Sequence, residues 1–98
     1  MNQPELPLDT SGSVTDLALD IKSEVTAPDG NRYLVSTVQL IFFVNGLPYE
    51  TMVFPADGSG EPASYEEQFC QRYRTPGGAR QGHAHVMAMI AKGSLELV

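Results

Sequence analysis

The chain predicts a small α+β domain, a four-stranded antiparallel β-meander with one C-terminal helix packed on the sheet. Three observations carry that prediction. Two apolar runs meet at Asn45-Gly46, a pair suited to a type I′ hairpin because both turn positions need positive φ. Residues 15 to 26 alternate apolar and polar with period two, as a strand wet on one face does. After Thr75-Pro76 the apolar spacing becomes helical.

In chain order, residues 1–14 hold Pro4, Pro7, Gly12 and Ser13 among few apolar residues and read as an irregular Pro-rich arm. Residues 15–98 form the single domain. Leu17, Leu19, Ile21 and Val25 line one side of the first strand, with Asp16, Ala18, Asp20, Lys22 and Glu24 on the other. Pro28-Asp29-Gly30-Asn31 turns the chain. A two-residue turn at Asn45-Gly46 then sets a hairpin register of Val44 with Leu47, Phe42 with Tyr49, Leu40 with Thr51 and Val38 with Val53 on one apolar face. The mixed opposite face pairs Phe43 with Pro48, Ile41 with Glu50, Gln39 with Met52 and Thr37 with Phe54.

Residues 55–62 are too polar and too glycine-rich for a strand and read as a mobile loop. Tyr65 to Arg74 is open to two readings. Tyr65, Phe69 and Tyr73 share a face in either geometry, and Ser64 with Glu67 matches a capping box; the abrupt stop at Thr75-Pro76 favours a strand over the second half. Thr75 is then the N-cap and Pro76 the first residue of a helix that runs to Lys92 and stops at Gly93. At 100° per residue, Ala79, His83, Val86 and Ile90 face the sheet. Leu95 and Leu97 suit a short final strand.

Composition bounds the function. The net charge of −6 is uneven: −5 over residues 1–31, −4 over 32–71 and +3 over 72–98. Such a chain is repelled by duplex phosphates and attracted to basic protein surfaces. No apolar run approaches the roughly 18 residues of a membrane span, and the N-terminus lacks a secretory pattern. A soluble, cytoplasmic protein is expected. One cysteine, Cys70, excludes an internal disulfide and suits reducing surroundings.

Ser36-Thr37, Pro48-Tyr49-Glu50-Thr51-Met52-Val53-Phe54, Arg72-Tyr73, Thr75, Ala79, Gly82-His83 and Val86 together resemble a widespread group of small, uncharacterised phage and prophage proteins. Their outline is Ser-Thr, an apolar strand, Glu-Thr-Met-Val-Phe, a variable loop, Arg-Tyr-x-Thr and Ala-x-x-Gly-His. The likeness covers about half the chain and implies a phage accessory protein made in a bacterial cytoplasm; it brings no mechanism with it. Where the group continues Ser-Thr with a Trp-Leu-Gly-Leu-Asp-His-like stretch, this chain has Val38-Gln39-Leu40-Ile41-Phe42-Phe43. Any site built on that histidine is absent here. The first 30 residues extend beyond the common part.

Candidate chemistry is sparse. His83 and His85 diverge by 200° on a helix, so they cannot share a metal, and no cofactor or metal is expected. His83 reads as a core-edge histidine paired to a strand carbonyl or a tyrosine hydroxyl. No nucleophile, base and acid constellation is visible, and no enzymatic activity is expected. Arg72, Arg74, Gly77, Gly78 and Arg80 place cations around a glycine-rich helix start, where an anion such as phosphate is favoured; the competing reading leaves the arginines solvated or pairs them with Glu66 and Glu67. Asp16, Asp20 and Glu24 offer an acidic strand for partner binding. Two function classes follow. One is a stoichiometric binder of a host protein or complex, of the counter-defence or host-takeover type, with a sheet edge as a homodimer contact. The other is a small-ligand binder at the helix start, with a virion or assembly component as a third reading.

Overall fold

The structure, a computed structural model, describes residues 19–97, and the side chains in that span other than those of residues 42–44. The arm, Asp16 and Leu17 lie outside the described residues. Four strands, β1 (Asp20–Thr26), β2 (Arg32–Val44), β3 (Leu47–Pro55) and β4 (Phe69–Tyr73), are followed by the helix α1 (Pro76–Lys92). They form one antiparallel sheet in the order β1-β2-β3-β4. The α+β meander with a helix on one face is the predicted fold. No strand forms at Leu95 and Leu97, which instead pack irregularly against the core.

The hairpin turn forms as its sequence requires, with Asn45 at φ 54° and Gly46 at φ 72°. The register beyond it differs from the predicted one. Val44 pairs with Leu47, but the next pairs are Gln39 with Tyr49, Val38 with Glu50, Thr37 with Thr51, Ser36 with Met52 and Val35 with Val53. Four residues of β2, 40 to 43, therefore stand opposite Pro48 alone. The physical cause is Pro48. It has no N–H to give the ladder with β2, and proline within a ladder is accommodated at a bulge. A slip by an odd number exchanges the two faces of the strand. Val35 and Thr37 thus replace Val38 and Leu40 beneath the helix.

That face carries Ser23, Val35, Val53 and Phe69 in one row and Ile21, Thr37, Thr51 and Gln71 in the next. Val35 and Val53 bury against Val86 and Ile90 of α1, and Val25, Tyr33, Phe69, Met87, Leu95 and Leu97 pack around them. Each such aliphatic side chain contributes about 1.5–3 kcal/mol. The helix is capped as predicted: Thr75 accepts from the Gly78 amide, Pro76 opens it, and Gly93 at φ 75° returns its N–H to Ile90 and Met89 carbonyls.

The opposite face is covered as well. Glu24, Leu34 and Phe54 lie side by side there. The loop between β3 and β4 is fastened to the outer two: the Gly60 amide donates to Glu24 Oε2 at 2.7 Å, and Tyr65 meets Phe54 edge to face at 5.8 Å. Leu34, between those fastenings, is 2 % exposed. The expected mobile loop is thus a strap, closed at its base by an Ala56–Pro62 bridge. Ser64 accepts from the Glu66 amide in a local turn, so the Ser64/Glu67 pattern starts no helix. No helix is long and apolar enough to cross a membrane among the described residues.

Candidate functional site

Helix α1 carries one polar side chain into its buried stripe, His83, 6 % exposed. Its Nδ1 lies 2.7 Å from Thr37 Oγ1 and its Nε2 3.0 Å from Ser23 Oγ. Thr37 in turn stands 2.5 Å from Thr51 Oγ1, its cross-strand partner. Three strands and the helix are joined by this row of hydroxyls and one imidazole. The expected partner was a strand carbonyl or a tyrosine; hydroxyls replace them because strand carbonyls are taken by the ladder while Thr37 and Ser23 point to the helix. Burial holds the His83 pKa below the usual imidazole value. A neutral ring suits the relay, since it donates at one nitrogen and accepts at the other. Both ring partners are hydroxyls, so His83 lacks the acid that orients the base of a nucleophile and base pair. His85 is exposed on the other side of the helix, and no group of three or more metal-ligating side chains occurs among the described residues.

The predicted anion site is only partly assembled. Arg72 Nη2 pairs with Glu50 Oε2 at 2.8 Å, not with Glu66 or Glu67, because Arg72 and Glu50 are direct cross-strand partners. The same oxygen accepts from Cys70 Sγ at 3.4 Å. Glu50, 5 % exposed, is held by both. Burial, then the hydrogen bond to the neighbouring carboxylate, pushes the Cys70 thiol up to about 11. Arg72 is therefore committed to the sheet. Arg74, Gly77 and Arg80 are exposed near the helix start, and the Gly78 amide is capped by Thr75.

Comparison of the chain with known families, with curated proteins and with solved structures gives no match.

Of the acidic strand residues, Asp20 pairs with Lys22 at 2.5 Å and Glu24 holds the strap. Free acidity lies instead on the strap itself, where Asp57, Glu61, Glu66 and Glu67 are exposed. Hydrogen bonds from Ser59 keep the Asp57 carboxyl below the usual carboxylate range. Tyr65, beside Glu66 and Glu67, is 78 % exposed although its ring is positioned by Phe54. Sequence reasoning assigned this tyrosine to a face shared with Phe69 and Tyr73. In fact Phe69 and Tyr73 point toward the helix, and Tyr65 sits across the sheet. The signal that separates them is the run Pro62-Ala63-Ser64, which leaves no strand through Tyr65.

Two grooves flank Tyr33. One, of about 500 Å³, is lined by Ala27, Pro28, Tyr33, Ile90, Leu95 and Leu97 with Asp29, Lys92 and Gly93. The other, of about 320 Å³, lies over Arg32, Pro55 and Gln68. Neither includes His83, Arg72 or Arg74.

Proposed function

We propose that this chain is a non-enzymatic binding protein that docks one to one on a basic protein surface through its strap, with Tyr65 as the anchor. The single observation that carries this reading is an aromatic ring left 78 % exposed on a loop that is nonetheless fastened to the sheet. Tyrosine is enriched among residues that dominate interface energies. A loop already held in place loses less freedom on binding than a slack one. The exposed acids Asp57, Glu61, Glu66 and Glu67 add electrostatic steering toward a basic partner. The likeness to phage accessory proteins supports a setting in which that partner is a bacterial host protein and the site of action is the host cytoplasm. The helix start is the weaker candidate, since Arg72 is engaged by Glu50.

The test is capture from a bacterial lysate, with wild type and Tyr65→Ala compared at equal folded concentration. A partner retained at one-to-one stoichiometry by wild type and lost at least tenfold by Tyr65→Ala is the expected result, since a buried interface tyrosine is worth more than about 1.4 kcal/mol. Retention that ignores Tyr65, or no stoichiometric partner at all, refutes the reading.

A further inference from the structure

The turn between β1 and β2 meets the end of the helix. The Ala27 amide closes that turn on the Asn31 carbonyl at 2.8 Å, and Pro28 packs on the helix cap, where a Cβ at Gly93 would fall 3.1 Å from Pro28 Cγ. The chain leaving α1 then folds back, with Leu95 and Leu97 against the core. Between turn and tail lies the groove of about 500 Å³, walled by Ala27, Pro28, Tyr33, Ile90, Leu95 and Leu97. Its size is that of a small-molecule site, about 300–1,000 Å³. The rim is charged. Asp29 stands there with its carboxylate held by the Asn31 amide at 3.0 Å and the Asn31 side chain at 3.1 Å, and a carboxylate so held has lone pairs left for further donors.

We propose that this groove binds a small organic amine, an ammonium group on an aromatic or short aliphatic body. The apolar walls take the body. The sign of the charge follows from what surrounds the mouth. Asp29 is on the rim, Glu96 is exposed between Leu95 and Leu97, and α1 ends there with no described backbone donor to the Ala91 and Lys92 carbonyls. Such a helix end carries about half a negative charge. Lys92, also on the rim, opposes these groups, but its long stem lets the ammonium stand out in water, and the sum stays negative. Tyr33 adds an aromatic wall, whose ring face attracts a cation within about 6 Å of its centre. An anion of the same shape would meet the same walls without these attractions. The whole chain, at −6, draws cations toward it as well. No strap residue lines the groove, so the inference stands or falls apart from Tyr65.

Amide NMR spectra of the full chain, titrated to about 10 mM with three ligands that share one apolar body, test it. The ligands are phenethylamine, phenethyl alcohol and hydrocinnamate: a cation, a neutral molecule and an anion. Phenethylamine should shift the Tyr33, Gly93 and Leu97 amides saturably, with a Kd on the order of 1 mM as suits so small a ligand. Phenethyl alcohol should bind about threefold more weakly and hydrocinnamate about tenfold more weakly. Two exposed rim residues then fix the direction. Asp29→Asn should weaken the amine about threefold, and Lys92→Gln should tighten it by about the same factor, each with little effect on the alcohol and with amides away from the groove unmoved as the check on folding. Leu97→Ala, which shortens one wall, should weaken all three ligands. Phenethylamine that gives no saturable shift at these amides overturns the proposal. So does hydrocinnamate bound as tightly as the amine, or a preference for the amine that either rim variant fails to move in its stated direction.

Discussion

Replacing Gly82 by alanine reverses the sign that helix propensity assigns to it. Alanine in a helix interior is favoured over glycine by about 1 kcal/mol, and Gly82 lies in the middle of α1. A Cβ there would fall 2.3 Å from Cε1, Cζ and the hydroxyl of Tyr73. Ordinary contact begins near 3.5 Å, so the ring must retreat by about 1 Å or swing off the helix. Overpacking of this kind costs about 1–3 kcal/mol. The net expectation is destabilisation of up to about 2 kcal/mol, or a Tm lower by up to roughly 15 °C for a domain of this size. Gly77→Ala is the control. A Cβ at Gly77 meets nothing within 4 Å, so that change should stabilise by about 0.5–1 kcal/mol. Urea unfolding of both variants, and of Gly82→Ala in a Tyr73→Leu background, completes the measurement. In that background the penalty should vanish, a coupling of at least about 1 kcal/mol between two touching residues. A Gly82→Ala protein as stable as Gly77→Ala would refute the packing assigned to Tyr73.

Two further expectations follow from the buried polar groups. Because burial lowers the folded pKa of His83, the unfolded chain binds the extra proton first; its contribution to stability is complete above the unfolded value of about 6.5 and is lost as pH falls below it. His83→Gln, which cannot titrate, should flatten that slope in denaturant titrations between pH 7 and pH 5, and an unchanged slope would count against a neutral His83. Cys70, with its thiol raised to about 11, should react with a disulfide reagent at pH 8 on the order of a hundredfold more slowly than a free thiol, in proportion to its thiolate fraction. Glu50→Gln removes the anion that holds the proton on sulfur and should speed labelling several-fold in the folded protein; labelling of wild type at the free-thiol rate would sink that account.

Local signals carried much of the fold. Asn45-Gly46 fixed the turn, Thr75-Pro76 and Gly93 fixed both ends of the helix, and the spacing of Ala79, His83, Val86 and Ile90 named its buried stripe, because each depends on one residue's backbone preference or on a single helical period. The candidate site was legible in part. Arg72 was recognised as a cation near the helix start, but its partner Glu50 was not. That pairing depends on how β4 aligns with β3 across the long loop, which no local pattern sets.

Sequence by itself determined the fold class, the hairpin turn, the helix with its caps and the charge. Tertiary structure decided which face of β2 lies under the helix, that Thr37 and Ser23 receive His83, and that the acidic loop is strapped across Leu34. For the face of β2 the physical reason is Pro48. A missing N–H changes how two strands align several residues away, and an alignment that shifts by an odd number turns inside out every side chain whose neighbours the local pattern had named.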